Sequence, residues 1–370
     1  MSNDWTDVTL GEICSPKQWH TIGKEDFSKT GYPVYGANGI IGLYKTYNHA
    51  EPVIAVTCRG ATCGSISLTK PFSYVTGNSM CLDEIRDDVD IIYLFHLLLF
   101  SGFKDAISGS AQPQITRGDI SKINILFPPL PEQKKIAEIL SGIDNAISIK
   151  KQARIDLEAT REAICKELIQ NRDWHEEKVG DLTTHMTNGF VGTATPHYRE
   201  RGVRYLTSKN IRRDRIDSRK MIYISEEFHM ANQKSSLRVG DILMVQSGHI
   251  GTTAVVTDEY KDCNCHALIL MRFNQEQLDP HYASLYFNST TGRTRLSDIF
   301  VGSTVKHVNT GDLRKFKIPL PPLGVQKDIA NRVNAMDRLL GQRGVQIEKL
   351  VILKQAISSD LLSGRKRVSI

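Results

Sequence analysis

The chain has 370 residues, 40% of them hydrophobic, and 47 Lys or Arg against 41 Asp or Glu give a mild net charge of +6. That length admits two or three domains, each large enough to bury a core, and no apolar run reaches the ~20 residues of a membrane span. Seven scattered cysteines fit a reducing cytosol. The opening MSNDWTDV lacks the basic and apolar regions of an export signal, so a cytoplasmic protein without membrane contact is expected.

In chain order, DWTDVTLGEI opens a first unit. TGYPVYGANGIIGLYKTY then sets turn signals between short β-prone runs, and EPVIAVTCRGATCGSISL reads as strand, glycine-containing loop and strand. A short helical stretch, IIYLFHLLLFSG, precedes the loop GSAQPQITRGDI and a strand running into prolines, INILFPP. A second unit repeats this order. DWHEEKVGDL echoes the opening at an offset of 169, and VGDILMVQSGHIGTTAVV, PHYASLYFNSTTG, GSTVKHVNTGDL and FKIPLPP follow. Each unit is predicted to be a mixed α+β domain of short strands.

Between and after the units the chain repeats a helix entry at an offset of 193. Pro128, Pro129, Leu130, Gln133, Lys134, Ile136 and Ala137 match Pro321, Pro322, Leu323, Gln326, Lys327, Ile329 and Ala330. The second unit therefore carries about 24 extra residues between its start and its helix. The Pro-Pro pair blocks helix on its N-terminal side, while Pro131 and Glu132 suit a first turn. Alternating steps of four and three give an apolar seam of Leu140, Ile143, Ile147, Leu157, Ile164 and Leu168. The second copy supplies Val333, Met336, Leu340, Ile347, Leu350, Ile357 and Leu361. Gly142, Gly341 and Gly344 each weaken a helix by up to ~1 kcal/mol, so packing must hold it. Two such helices in one register predict a mutual antiparallel pair. The expected fold class is α+β: two mixed, short-stranded domains separated by an antiparallel two-helix coiled coil, with a pseudo-two-fold internal duplication. The expected division is 1–130, helix 131–170, 171–323, helix 324–364 and a basic tail at 365–370. At 1.5 Å per residue, about 38 residues make a spacer of roughly 57 Å.

Catalytic signatures are missing. The chain has neither a GxxxxGK[ST] loop nor a GxGxxG fingerprint. The Pro-Pro pairs are followed by Leu, so they mark helix boundaries and do not form the tetrapeptide with which amino-methyltransferases hold a target amino group. Asp241 with Glu259 and Lys261 imitates a nuclease D…ExK, but Asp258 to Asp262 reads as a charged turn. Cys58 and Cys63, and Cys263, Cys265 and His266, lack the paired two-residue spacings of zinc knuckles and read as structural thiols.

Polar loops carry the functional reading. Arg59 stands beside Gly60, where a backbone can approach another molecule, and Gln246 and His249 hold the comparable place in the second unit. Gln112 and Gln114 align with Val305 and His307, and Lys306 replaces Pro113. Gln, Asn and Arg carry the donor and acceptor groups that read base edges, whereas Lys mostly attracts phosphate. Residues 201–220 hold eight Lys or Arg against two Asp. Within them Lys209, Asn210, Arg212, Arg213 and Arg215 are candidate DNA contacts. Asn38, Lys45 and Arg117 complete the set in the first unit. The two units share a frame and differ in these loops, as two readers of different sequences would.

The whole chain resembles the specificity (S) subunit of a Type I restriction–modification system. The resemblance rests on the duplicated Pro-Pro-Leu-x-x-Gln-x-x-Ile-Ala helix entry, on YPVYGANGIIG, on the GSAQPQI loop, on GDILMVQSGHIG and on LEAT at Leu157 to Thr160. It implies two target recognition domains, each reading one half of a split, asymmetric double-stranded DNA site. The two half-sites would lie about one helical turn, roughly 10 base pairs, apart. It implies docking of two methyltransferase (M) subunits and of restriction (R) subunits, in a bacterial or archaeal cytoplasm. The chain itself would be non-catalytic and hold no cofactor or metal. S-adenosylmethionine would belong to the methyltransferase, and ATP and Mg to the restriction subunit. Lys209, Arg212, Arg213 and Arg215 would neutralise phosphates and make affinity salt-dependent. Two rival readings are a single-chain restriction enzyme, which would cut DNA in isolation, and a protein-only coiled-coil adaptor, which would not retain DNA selectively.

Overall fold

The computed structural model describes residues 5–109, 112–170, 174–302 and 306–369, apart from the side chains of 168–170. The seam position Leu168 and the loop position Val305 lie outside the described residues. The chain divides into two compact units, one of residues 1–152 with 344–370 and one of residues 153–343.

The first unit is built on an antiparallel sheet in which Ser15–Gln18, Ser79–Asp83, Ile54–Thr57 and Ile66–Leu68 lie side by side. A smaller sheet pairs Tyr32–Gly36 with Gly39–Tyr44 on one side and Tyr74–Val75 on the other, while Thr6–Thr9 pairs with Asn124–Phe127. The second unit repeats the plan. Thr183–Asn188, Leu268–Phe273, Ile242–Val245 and Thr253–Val255 form the main sheet, and Glu176–Lys178 pairs with Lys317–Pro319. Its second four-stranded sheet joins Tyr198–Arg199, Ile222–Ile224, Val203–Leu206 and Asn264–Cys265. Further elements lie in and just after the basic stretch 201–220. A two-stranded hairpin pairs Ile211–Arg212 with Arg215–Ile216, and a helix spans Glu226–Ala231.

A helix packs beside each main sheet, Ile91–Ser101 in the first unit and Pro280–Asn288 in the second, with Tyr93, Leu94, Leu98, Tyr282, Tyr286 and Phe287 in the cores. The repeated helix entry now acquires a physical reason. Buried Gln133 accepts the Asp90 N–H at 2.8 Å and donates to the carbonyls of Asp88 and Pro128 at 3.0 and 2.8 Å. Buried Gln326 repeats this, accepting from Asp279 N–H at 2.8 Å and donating to Gln277 and Pro321 at 2.9 and 2.7 Å. Asp90 and Asp279 are themselves N-caps, accepting from Tyr93 and Tyr282 N–H. Each glutamine thus ties a long helix to the start of its domain's packing helix. Buried backbone groups that lose such partners cost about 1–3 kcal/mol each.

The long helices run Leu130–Gln170 and Leu323–Leu362. Leu140, Ile147, Val333 and Leu361 are buried, and Ile143, Leu157, Ile164, Met336, Leu340, Ile347, Leu350 and Ile357 are half-buried. In the first unit Lys354 reaches Asp144 and Lys150 reaches Gln346, while in the second Arg161 reaches Asp337. In the first unit residue numbers rise on one helix as they fall on the other, which is antiparallel packing. The segment named as the basic tail is folded onto the first unit. Arg367 forms a bidentate pair with buried Glu132 at 2.7 and 2.6 Å, Trp5 Nε1 donates to the same carboxylate at 3.0 Å, and Lys366 pairs with Asp360 at 2.9 Å.

Candidate nucleic-acid interface

In the first unit the loop after Ile54–Thr57 is laced by backbone bonds to residues 113–115, and these in turn to Ser108. Gly60 N–H donates to Pro113 O at 3.1 Å, Ile115 N–H to Cys58 O at 3.0 Å, and Ser108 and Gln114 exchange two bonds of 2.9 Å. Gly60 has φ +85°, a conformation that favours glycine and lets the chain turn directly after Arg59. Arg59, Gln112 and Gln114, far apart in sequence, are therefore neighbours, and all three are exposed. Exposed Asn38 joins this end, because Ala37 O accepts from Thr57 Oγ1 at 2.8 Å. Arg117 follows in the first turn of Arg117–Ser121, whose capping box joins Thr116 and Asp119. Lys45 does not belong to the group. Gly36 and Gly39 pair at the Asn38 end of the hairpin, Tyr32 and Tyr44 at the other, and Lys45 follows Tyr44, its ammonium over that ring. Gln18, which carries no sequence signal, is brought in by donating to Gly77 O at 2.8 Å and to Cys58 Sγ at 3.0 Å.

The second unit gathers its loops in the same way. Val308 N–H donates to Gln246 O at 3.3 Å, and Val301 and His307 exchange bonds of 2.9 and 2.8 Å, which places Lys306 and His307 beside the Gln246 turn. Gln246 Nε2 donates to Asn188 Oδ1, and His249 Nε2 lies 3.2 Å from Ile211 O on the basic hairpin. Asn188 and Arg293 are further members that sequence reading missed. Neither stands in a motif, and only folding places them here.

Asn210 is corrected by the structure. It is 2% exposed. Its Oδ1 accepts from Thr207 N–H and Oγ1 at 3.0 Å each, and its Nδ2 donates to Asp217 O at 3.1 Å. Its amide is spent on closing the loop that launches the hairpin. Lys209, Arg212, Arg213 and Arg215 are exposed, and Arg213 also bonds Glu162 at 2.6 Å.

The hairpin turn is locked from beneath. Asp214 has φ +57°, which Asp tolerates better than most residues. Its N–H donates to Thr253 O at 3.0 Å, and its carboxylate accepts from Ser284 Oγ (2.9 Å), Asn288 Nδ2 (2.7 Å) and Arg161 Nη2 (3.1 Å). Burial pushes its carboxyl above the usual range, against the pull of Asn288, Arg161 and Ser284. Burial likewise opposes the charge of Arg161, but its bonds to Asp337 and the nearby Asp214 charge outweigh it and hold the guanidinium protonated.

The residues once matched to catalytic patterns are otherwise engaged. Asp241 is fully buried and bidentate with Arg272 at 2.7 Å, while Glu259 pairs with Arg204. Among the described residues one three-membered group has metal-ligand chemistry, His49, Cys81 and Asp83. Asp83 already holds His49 Nε2 and Trp19 Nε1 at 3.0 Å each, and burial pushes the Cys81 thiol far up, so the group reads as a hydrogen-bonded brace. No helix among the described residues is long and apolar enough to cross a membrane.

The arrangement is two domains of one design, each presenting a polar loop cluster, of amide and guanidinium groups in the first unit and with the imidazoles of His249 and His307 added in the second. Comparison with known proteins agrees. The Methanocaldococcus jannaschii Type I restriction enzyme MjaVIII specificity subunit is 25% identical over 99% of this chain and 93% of its own length. The Escherichia coli EcoprrI specificity subunit is 28% identical over 41% of this chain and 39% of its own. The crystal structure of a Type I restriction–modification S subunit from M. genitalium superimposes with a TM-score of 0.70 at 15% identity, covering 98% of this chain and 97% of that one, a likeness of fold. The model of the Type I restriction modification DNA specificity domain matches residues 2–159 and again 171–349, and the chain belongs to that family.

Proposed function

We propose that this chain is the DNA sequence-specificity subunit of a Type I restriction–modification complex, each domain reading one half of a split, asymmetric site. The observation that carries this is the pairing of one framework with two different loop clusters. Arg59, Gln112 and Gln114 stand where the second unit sets Gln246, His249, Lys306 and His307. Two copies of one reader with unlike loops suit two unlike half-sites. The paired helices fix the gap between them, and a changed seam length changes the gap tolerated.

The chain is non-catalytic on this reading, with S-adenosylmethionine on two methyltransferase subunits and ATP and Mg on restriction subunits, in the cytoplasm. Exposed Leu339, Val345, Ile352 and Leu353 on the second long helix, and Ile149 and Ile155 on the first, support protein docking there. The test is methylation mapping in a host that expresses the chain with a cognate methyltransferase. A split motif of fixed gap that vanishes when this chain is omitted is the expected result. Methylation unchanged by the omission would sink the proposal and favour a protein-only adaptor.

A further inference from the structure

The second unit contains a cavity of about 430 Å³ that no motif announces, lined by Arg212, Arg213, His249, Thr252, Asn288 and Arg293 with Ile211. It holds three guanidinium groups and an imidazole and no carboxylate lines it; Arg213 is paired with Glu162 at 2.6 Å and Arg212 lies 3.8 Å from Asp217, which leaves Arg293 as the cation without a carboxylate among the described residues. We infer that this cavity is a preformed seat for a DNA backbone phosphodiester, with Arg293 as its fixed cation; the inference rests on the reading of the chain as a DNA-specificity subunit and names the ligand chemistry of one part of that surface.

Three observations support it. Arg293 is set before any ligand arrives: its Nη2 donates to Ile250 O at 3.0 Å and its Nη1 to Thr252 Oγ1 at 3.3 Å. Those bonds take no charge from it, and it has no carboxylate partner among the described residues. Its backbone is equally fixed, since the neighbouring Gly292 lies so close to Tyr286 O that an added Cβ would sit 1.9 Å from it. The opposite wall is the basic hairpin, whose turn is held by buried Asp214 on Ser284, Asn288 and Arg161. Neither wall has to be ordered by the ligand, so little entropy is lost on binding.

The position decides in favour of a phosphodiester over a free anion. His249 lies on the Gln246 loop and meets Ile211 of the hairpin, so the cavity adjoins the residues proposed to face base edges. Guanidinium forks match phosphate oxygens in pairs, and a contact of this kind positions a reader without carrying sequence information. Asp214 and Arg161 act as positioning residues here, through the hairpin.

The experiment measures binding of the full chain, assembled with its methyltransferase, to labelled duplexes over a salt series. One duplex carries the mapped site and one has mixed sequence. Arg293→Met is expected to weaken both about tenfold, leave their ratio unchanged and lower the salt slope by about one. Arg293→Lys, which keeps the charge, is expected to retain the slope. The inference is overturned if Arg293→Met leaves affinity and slope unchanged, if it alters the ratio between the two duplexes, or if the Lys and Met variants share one slope. A wild-type complex that cannot distinguish the two duplexes at all would instead mark failure of the specificity reading.

Discussion

Arg161 grips Asp337 through two bonds of 2.6 and 2.9 Å in the second unit, and Lys354 grips Asp144 at 2.6 Å in the first. Both members of one pair lie 193 positions from those of the other, so this is one contact inherited twice. Its surroundings have diverged. Arg161 is buried and also holds Asp214, whereas Asp144 remains substantially open and lies near His96.

That divergence predicts unequal costs. Arg161→Met leaves the Asp214 carboxylate buried with its cation removed, and is expected to destabilise the second unit by about 3–5 kcal/mol. Lys354→Met breaks a partly exposed pair and should cost within about 1 kcal/mol. Urea unfolding gives the two values, and hydrogen exchange at residues 205–217 shows whether the Arg161 effect reaches the hairpin. Equal costs would contradict the assignment of Asp214 as a buried anchor.

The two glutamine staples should behave alike and independently. Gln133→Leu and Gln326→Leu each leave one N–H and two carbonyls without their partners, at about 1–3 kcal/mol for each group that stays buried, so each variant is expected to cost at least about 3 kcal/mol. They share no partners, so the double variant should lose about the sum. Thermal melts of the three variants decide this.

Acid should loosen the first unit through Glu132. Burial raises its carboxyl, but the bonds from Arg367 and Trp5 outweigh that and hold it below the usual range. A carboxyl depressed on folding contributes stability that is complete above its unfolded value, about 4.3. That stability is lost as pH falls through the lower folded value. The first unit should therefore weaken below about pH 4. Glu132→Gln should be less stable at neutral pH and lack this part of the acid dependence, as fluorescence of Trp5 would report.

Specificity should split by unit. Arg59→Ala is expected to relax the bases accepted in one half-site and Gln246→Ala those in the other, each by about 1–3 kcal/mol of discrimination. Methylation mapping of the variants reads both. An unchanged motif in either would remove that loop residue from the base-contacting set.

The duplicated helix entry, the order of strands and loops in each unit and the polar loops themselves were legible in the sequence. Proline boundaries, turn residues and apolar periodicity act over a few neighbouring positions, and a repeat makes each such signal count twice. Tertiary structure alone decided which polar residues remain available. Asn210 and Asp214 lie in the most basic stretch of the chain, yet one closes a loop and the other turns its side chain, 9% exposed, beneath a hairpin turn. Arg367 belongs to the basic tail and is bound to Glu132, while Arg293 stands in no motif and lines the arginine-rich cavity. The physical reason is that charge and hydrogen-bonding capacity belong to a residue, but whether they are spent depends on partners more than a hundred positions away, as for Arg367 with Glu132 and Arg295 with Glu176.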